Sequence, residues 1–346
     1  MVKTLIKRKE RPSQMWHADE MDLWSLSDLC TPWCVHVVAT LRVADQIAAG
    51  NSDIGRLASA SGAHAESLER VLRHLVSKGL FEEPTPGRFT LNDATRGLLD
   101  SSIQLGLDLD SFGGRMARAW GTLLTAVRTG RPAYQEAHGR GFWEDLDANP
   151  DLAETFDALM GPAGHGIPDP HVLLDPGGWD SVQTVVDVGG GTGALLAEVL
   201  RAHPNVTGTL VDLPRTVARS AELFNAAGVA GRATSSGQSF FDALPAGRDL
   251  YLLQKVLDDW PDQEAGAILT RCAEAARPRG RVVILSGITP EEIASPELLM
   301  LVLVGGRHRT LREFRALARE AGLEVCASGL APSKRFIVEC RPIELK

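Results

Sequence analysis

Thr184-Val185-Val186-Asp187-Val188-Gly189-Gly190-Gly191-Thr192-Gly193 decides the fold. A β-branched apolar run ends in a glycine turn, and Ala194 then opens an apolar periodicity that reads as a helix over residues 194–202. Strand, glycine turn and helix in that order make a nucleotide-binding turn, because small residues let a ligand approach the backbone. About twenty residues further on, Asp212 closes a second short apolar run, Thr209-Leu210-Val211, where a strand-end carboxylate holds ribose hydroxyls. The glycine spacing departs from the Gly-x-Gly-x-x-Gly of dinucleotide enzymes, so a mononucleoside fits the turn better.

Downstream, strand and helix signals alternate: strand 208–211, helix 216–227, strand 249–253, helix 262–276, strand 281–285, helix 311–321, then strands near 324–326 and 336–340. Such alternation predicts a parallel sheet covered by helices on both faces. Upstream, Gly161-Pro162-Ala163-Gly164-His165-Gly166-Ile167-Pro168 is a break rich in glycine and proline and marks a boundary. The chain therefore divides into a nucleoside-binding catalytic domain at 166–346, a helical bridge lining the cleft at 106–165, and an N-terminal helical domain at 1–105. In the last of these, Val35, Val37, Val38, Leu41, Val43, Ala44 and Ile47 recur at helical spacing and read as one buried helix over 31–50. Helices at 54–61 and 65–79 and a hairpin over 80–91 complete a winged helix.

A length of 346 residues with 44% apolar content suits two domains. The net charge of −8 argues against a nucleic-acid partner, and residues 51–100 hold six Lys or Arg against seven Asp or Glu, too little positive charge for a duplex. Five cysteines without zinc-type spacing point to a reducing, cytoplasmic setting, and Cys30 and Cys34, one helical turn apart, read as buried core thiols. Residues 1–20 have no apolar stretch of signal-peptide length, and no later segment is long and apolar enough to cross a membrane. No metal is expected: His165, Asp258 and His308 could be grouped as ligands only without a close anchoring pair.

Taken together, the glycine turn, Val211-Asp212-Leu213-Pro214, Leu257-Asp258-Asp259-Trp260 and Gly305-Gly306-Arg307-His308-Arg309-Thr310 resemble the S-adenosylmethionine-dependent O-methyltransferases of plant phenylpropanoid and bacterial polyketide pathways. The resemblance covers nearly the whole chain. It implies a class I methyltransferase fold, a Rossmann-like mixed sheet with helices on both faces, and a winged-helix N-terminal domain that forms a homodimer. It implies S-adenosyl-L-methionine as cofactor, with Gly189, Gly190 and Gly191 against its methionine part and Asp212 on the ribose. Leu213 and Trp260 would flank the adenine, and Asp187, Ser239, Phe240 and Gln254 would complete that site. Ser239 stands where the family carries an aspartate near the adenine amine. Plain alternatives exist for two of these: a strand-end cap for Asp212 and core packing for Trp260.

The positions that carry chemistry in the family differ here. Its His-Asp-Trp is Asp258-Asp259-Trp260, the glutamate that closes the strand at 281–285 is Ser286, and the glutamate of Gly-Gly-x-Glu-Arg-Thr is His308. Moving a proton from a phenol onto an unperturbed aspartate is uphill by roughly six pKa units, about 8 kcal/mol, against roughly three and a half for a histidine. Asp258 alone is a poor base. The expectation is that His308 is the base and Asp258 its orienter, the family's pair with its members exchanged. A solvated surface histidine is the plain alternative. Glu313, three residues after Thr310, reads as half of a capping box.

The expected acceptor is a small aromatic natural-product intermediate, methylated on a phenolic oxygen or on a carbon activated by a neighbouring hydroxyl. Its pocket would draw on Trp143, Met160, His165 and Met300, with the partner's N-terminal segment around its Trp16 and Trp24 as cover. The competing expectation is a family member that binds the cofactor yet catalyses a hydroxylation, decarboxylation or pericyclic step.

Overall fold

The computed structural model describes residues 23–162, 167–331 and 333–344. The expectations placed on His165 and Trp16 lie outside them. The chain divides into two compact units, Met1–Arg96 and Gly97–Lys346.

In the first unit, helices Ile54–Ser61 and Ala65–Ser77 precede a two-stranded wing, β1 (Glu82–Thr85) and β2 (Arg88–Thr90), the winged helix read from the sequence. Asp53 caps the first of these helices by accepting from the backbone N–H groups of Gly55 and Arg56, and Gly62, at φ 64°, ends it. Leu57, Leu68, Leu72, Leu75, Phe81 and Phe89 form the buried core. One helix was expected over 31–50, but there are two, Cys30–Thr40 and Val43–Ala48, because Arg42 takes a left-handed conformation at φ 54°. Nothing in the composition of Leu41-Arg42 signals that break. A second correction concerns the thiols: Cys34 is buried but Cys30, the first residue of its helix, is exposed.

The second unit opens with helices, among them Phe112–Ala119, Phe142–Ala148 and Pro150–Met160, and continues into a seven-stranded sheet. Its strands are β3 (Thr184–Val188), β4 (Thr207–Asp212), β5 (Ala233–Gly237), β6 (Leu250–Leu253), β7 (Arg281–Ile284), β10 (Leu323–Leu330) and β11 (Phe336–Pro342), in the order β10-β11-β7-β6-β3-β4-β5. Strands β3 to β7 are mutually parallel, as alternation with helices requires. Strand β11 is antiparallel to both neighbours, since the short link from β10 leaves no room for a crossover helix. The sheet is thus mixed.

Successive side chains of each central strand enter opposite cores. Val186, Val188, Tyr251 and Leu253 pack under helices Asp262–Ala276 and Leu311–Glu320, whereas Val185, Leu250 and Leu252 pack under helices Ala194–Ala202 and Ser220–Ala226. Full burial of both faces explains why these strands are almost wholly apolar, Asp187 of β3 being the buried exception.

A two-residue parallel pair, β8 (Ile288–Thr289) with β9 (Arg309–Thr310), fastens the segment carrying His308 to the segment that follows β7. Thr310 then caps helix Leu311–Glu320: its hydroxyl accepts from the Glu313 N–H at 3.2 Å, and the Glu313 carboxylate accepts from the Thr310 N–H at 2.7 Å. This is the capping box read from the sequence. Thr310→Ala is expected to lower unfolding stability by about 1 kcal/mol in a denaturant titration; an unchanged midpoint would show that the cap contributes nothing there.

Candidate active site

The carboxyl ends of β3, β4 and β6 open into one cavity of about 360 Å³. Its walls include every residue expected to hold the cofactor, from Asp187 and the glycine turn through Asp212, Leu213, Ser239, Phe240 and Gln254 to Trp260. Open α/β sheets bind ligands at this end of their strands.

Asp212 and the glycine turn hold each other. One Asp212 oxygen accepts from the Gly191 N–H at 2.8 Å and the other from the Leu213 N–H at 2.7 Å. Gly190 admits no side chain, since a Cβ there would collide with the Asp187 carboxylate and lie 2.7 Å from Leu210 Cδ1. Ser239, at the family's aspartate position, accepts from the Phe241 N–H at 3.2 Å and so stabilises its own turn. Gln254 accepts from Arg335 at 3.4 Å.

The opposite wall is aromatic. Trp143 stacks on Trp260 at 5.8 Å between ring centroids and 15° between planes, and Phe240 and Phe241 meet Trp260 edge-on. Met160 and Phe156 also line the cavity. Met300 is not among its walls: it packs in the helical cluster around Phe112, Phe142 and Val302. The indole N–H of Trp143 is buried without an acceptor.

Asp258 and His308 stand together beside the cavity without lining it; Asp259 and Trp260, next in the chain after Asp258, are walls. His308 Nε2 lies 3.9 Å from Asp258 Oδ2, while its Nδ1 lies 3.5 Å from Glu297 Oε1. The Ser286 hydroxyl donates to the second Asp258 oxygen at 3.4 Å. Two glycines press on this corner: a Cβ on Gly287 would sit 2.9 Å from Asp258 Cβ, and one on Gly306 would strike the Asp258 carbonyl. Gly287 and Gly306 therefore let two segments meet at Asp258.

Arg309 locks that meeting. Its guanidinium is almost wholly buried and donates to the carbonyls of Leu257 and Trp260, each at 2.8 Å, and to Asp262 at 2.9 Å. Sequence reasoning quoted Arg309 without giving it a role, and it missed Lys255, Asp157 and Glu297 altogether. Lys255 and Asp157 line the cavity. Lys255 adopts a left-handed backbone at φ 54°, an uncommon conformation for a residue with a side chain and a pointer to a functional turn.

Burial dominates the electrostatics. It pushes the Asp187 carboxyl up to about 7, assisted by the neighbouring Asp212 charge, and the Asp157 carboxyl up to about 6 against the pull of Arg219 and Arg215. Burial also raises Asp212, Asp258 and Asp259, and lowers the Lys255 ammonium despite Asp258 and Asp259. These carboxyls bind more protons folded than unfolded, so the stability they contribute is present at low pH and lost as pH rises through their folded values. For the cofactor-free protein, melting temperature is expected to fall between roughly pH 5 and pH 8, and Asp187→Asn to flatten that fall. An identical slope in the variant would remove Asp187 from the account.

Comparison with known proteins agrees with this geometry. The family model described as an O-methyltransferase domain matches residues 120–324, and an O-methyltransferase dimerisation domain matches residues 24–101. The chain is 43% identical over 322 residues to 2,7-dihydroxy-5-methyl-1-naphthoate 7-O-methyltransferase of Streptomyces carzinostaticus, covering 90% of this chain and 95% of that one. It is 36% identical to aclacinomycin 10-hydroxylase of Streptomyces purpurascens, covering 88% and 84%. Among solved structures, an O-methyltransferase of neocarzinostatin biosynthesis in complex with S-adenosylmethionine and 2-hydroxy-5-methyl naphthoic acid superposes with a TM-score of 0.85 at 41% identity, over 94% of this chain and 100% of that one. Sheet order, glycine turn, cavity and these matches lead to one conclusion: the chain belongs to the S-adenosylmethionine-dependent O-methyltransferases.

Proposed function

We propose that this enzyme methylates a hydroxyl on a fused-ring aromatic acceptor of the naphthoate kind, with His308 as general base. The observation that carries the reading is one cavity with two chemically distinct ends. The glycine turn, Asp212 and Leu213 with Trp260 suit a nucleoside, and Trp143, beyond Trp260, with Phe156 and Met160 suits a flat apolar ring. The unpaired Trp143 N–H offers a donor to a polar substituent on that ring.

When bound, S-adenosylmethionine supplies the sulfonium methyl as electrophile, and the protein contributes alignment and proton removal. We assign the glycine turn, with Gly189, Gly190 and Gly191, to the methionine part, Asp212 to the ribose and Leu213 with Trp260 to the adenine. The acceptor proton passes to His308 Nε2. Glu297, nearer to the ring than Asp258, takes the orienting role at Nδ1, and Asp258 faces the nitrogen that receives the proton. Two carboxylates then flank the imidazolium as it forms.

The exposed apolar side chains Trp24, Leu26, Leu29 and Trp33 in the region matched to the dimerisation domain support a homodimer. The even charge balance of the winged helix supports packing over duplex binding. Among the described residues no helix is long and apolar enough to cross a membrane. Five free cysteines support a cytoplasmic setting.

Incubation with S-adenosylmethionine labelled on the methyl group and a panel of hydroxynaphthoates and related polycyclic phenols tests the reading. The expected result is label on an acceptor oxygen. Turnover of an acceptor without label would instead favour the non-methylating chemistry suggested by the hydroxylase relative and by the absence of the family's histidine at Asp258.

A further inference from the structure

Far along the chain from any catalytic residue, Cys30, Cys34 and His74 bring two sulfur atoms and one imidazole nitrogen within 4.8 Å of one another. The cysteines lie four residues apart on helix Cys30–Thr40, and His74 comes from helix Ala65–Ser77. The two Sγ atoms are 3.8 Å apart. Two thiolates on a tetrahedral zinc ion, each about 2.3 Å from the metal, are separated by about 3.8 Å, so the sulfurs already stand at the edge length of such a site.

The imidazole is held as well. Thr31 Oγ1 contacts His74 Nε2 at 2.8 Å and donates to Asp28, whose other oxygen accepts from the N–H groups of Cys30 and Thr31. Asp28 also pairs with Lys78 at 3.2 Å. With its oxygens so engaged, Asp28 acts as an outer partner that positions the donors, in the manner of carboxylates behind metal-bound histidines. In the single chain Cys30 is exposed.

We propose that Cys30, Cys34 and His74 bind one Zn²⁺ ion, with a solvent molecule as fourth ligand. Binding releases the two thiol protons to solvent and cross-links the two helices. Two soft thiolates and an imidazole select zinc over magnesium or calcium.

The full-length protein, stripped with a chelator and kept reduced, is titrated with Co²⁺ as a spectroscopic stand-in and then with Zn²⁺. The expected result is one cobalt per chain with a thiolate-to-cobalt charge-transfer band, abolished stoichiometrically by Zn²⁺, and a melting temperature that rises with Zn²⁺ concentration. Cys34→Ser and His74→Ala are expected to weaken Zn²⁺ binding by more than about 100-fold, beyond the effect of losing an outer partner. Cys30→Ser, at an exposed position, provides the same test without disturbing the core, and Cys326→Ser serves as a thiol control that retains the band. Absence of the band in the wild-type protein, or its persistence in Cys30→Ser, would overturn the site. So would thiol counting that shows Cys30 and Cys34 joined to each other under the same reducing conditions.

Discussion

Replacing Asp212 with alanine is expected to raise the dissociation constant for S-adenosylhomocysteine by roughly 100-fold or more. Hydrogen bonds to a charged carboxylate contribute about 1.5–3 kcal/mol each, and two ribose hydroxyls would lose theirs together. A further loss comes from the protein, since the Gly191 N–H and the Leu213 N–H both donate to this carboxylate and the glycine turn relaxes without it. Asp212→Asn, which keeps one acceptor oxygen, is expected to fall between the two. Calorimetric titration gives the constants, and the product-induced rise in melting temperature should shrink in parallel. A constant within about threefold of wild type would reduce Asp212 to a strand-end cap, which a lost pair of charge-assisted bonds does not allow.

What could be read from sequence, and what could not, follows from how far each feature depends on distant contacts. The central strands were legible because they are buried on both faces: Thr184-Val185-Val186-Asp187-Val188 and Leu250-Tyr251-Leu252-Leu253 carry almost nothing polar. Strand β5, Ala233-Thr234-Ser235-Ser236-Gly237, escaped notice because it is a sheet edge of small and hydroxyl residues, with no apolar period to detect. Helix Leu298–Leu303 is too short to show a period. The glycine-turn side of the cavity was legible for a local reason, since a glycine turn and the carboxylate ending the next strand are motifs of neighbouring residues in the fold. The corner around His308 is different. Glu297 reaches His308 only because β8 pairs with β9, and Arg309 meets the carbonyls of Leu257 and Trp260 only because a turn some fifty positions earlier is folded against it. Neither contact leaves a trace in residue spacing.

At that corner, His308→Ala is expected to lower kcat by about 10²–10³, the range of one general base, while the affinity for S-adenosylhomocysteine stays within about twofold. His308 is the informative position because it is partly exposed, at 29% of its side-chain surface, so truncation leaves no sealed cavity. Asp258 is less clean: Gly287 and Gly306 close on it from two segments, and a change there disturbs packing as well as charge. Two readouts separate a base from a merely structural histidine. Added imidazole should restore part of the alanine variant's turnover, which no packing defect would permit. Glu297→Gln should lower kcat by roughly tenfold with an unchanged melting temperature, as expected of an outer carboxylate that orients a working imidazole. Wild-type turnover in His308→Ala would exclude it as the base and return the proton to Asp258. There burial raises the carboxyl above its ordinary range, which narrows the gap to a phenol, whereas the nearby His308, Ser286 and Lys255 work against that rise.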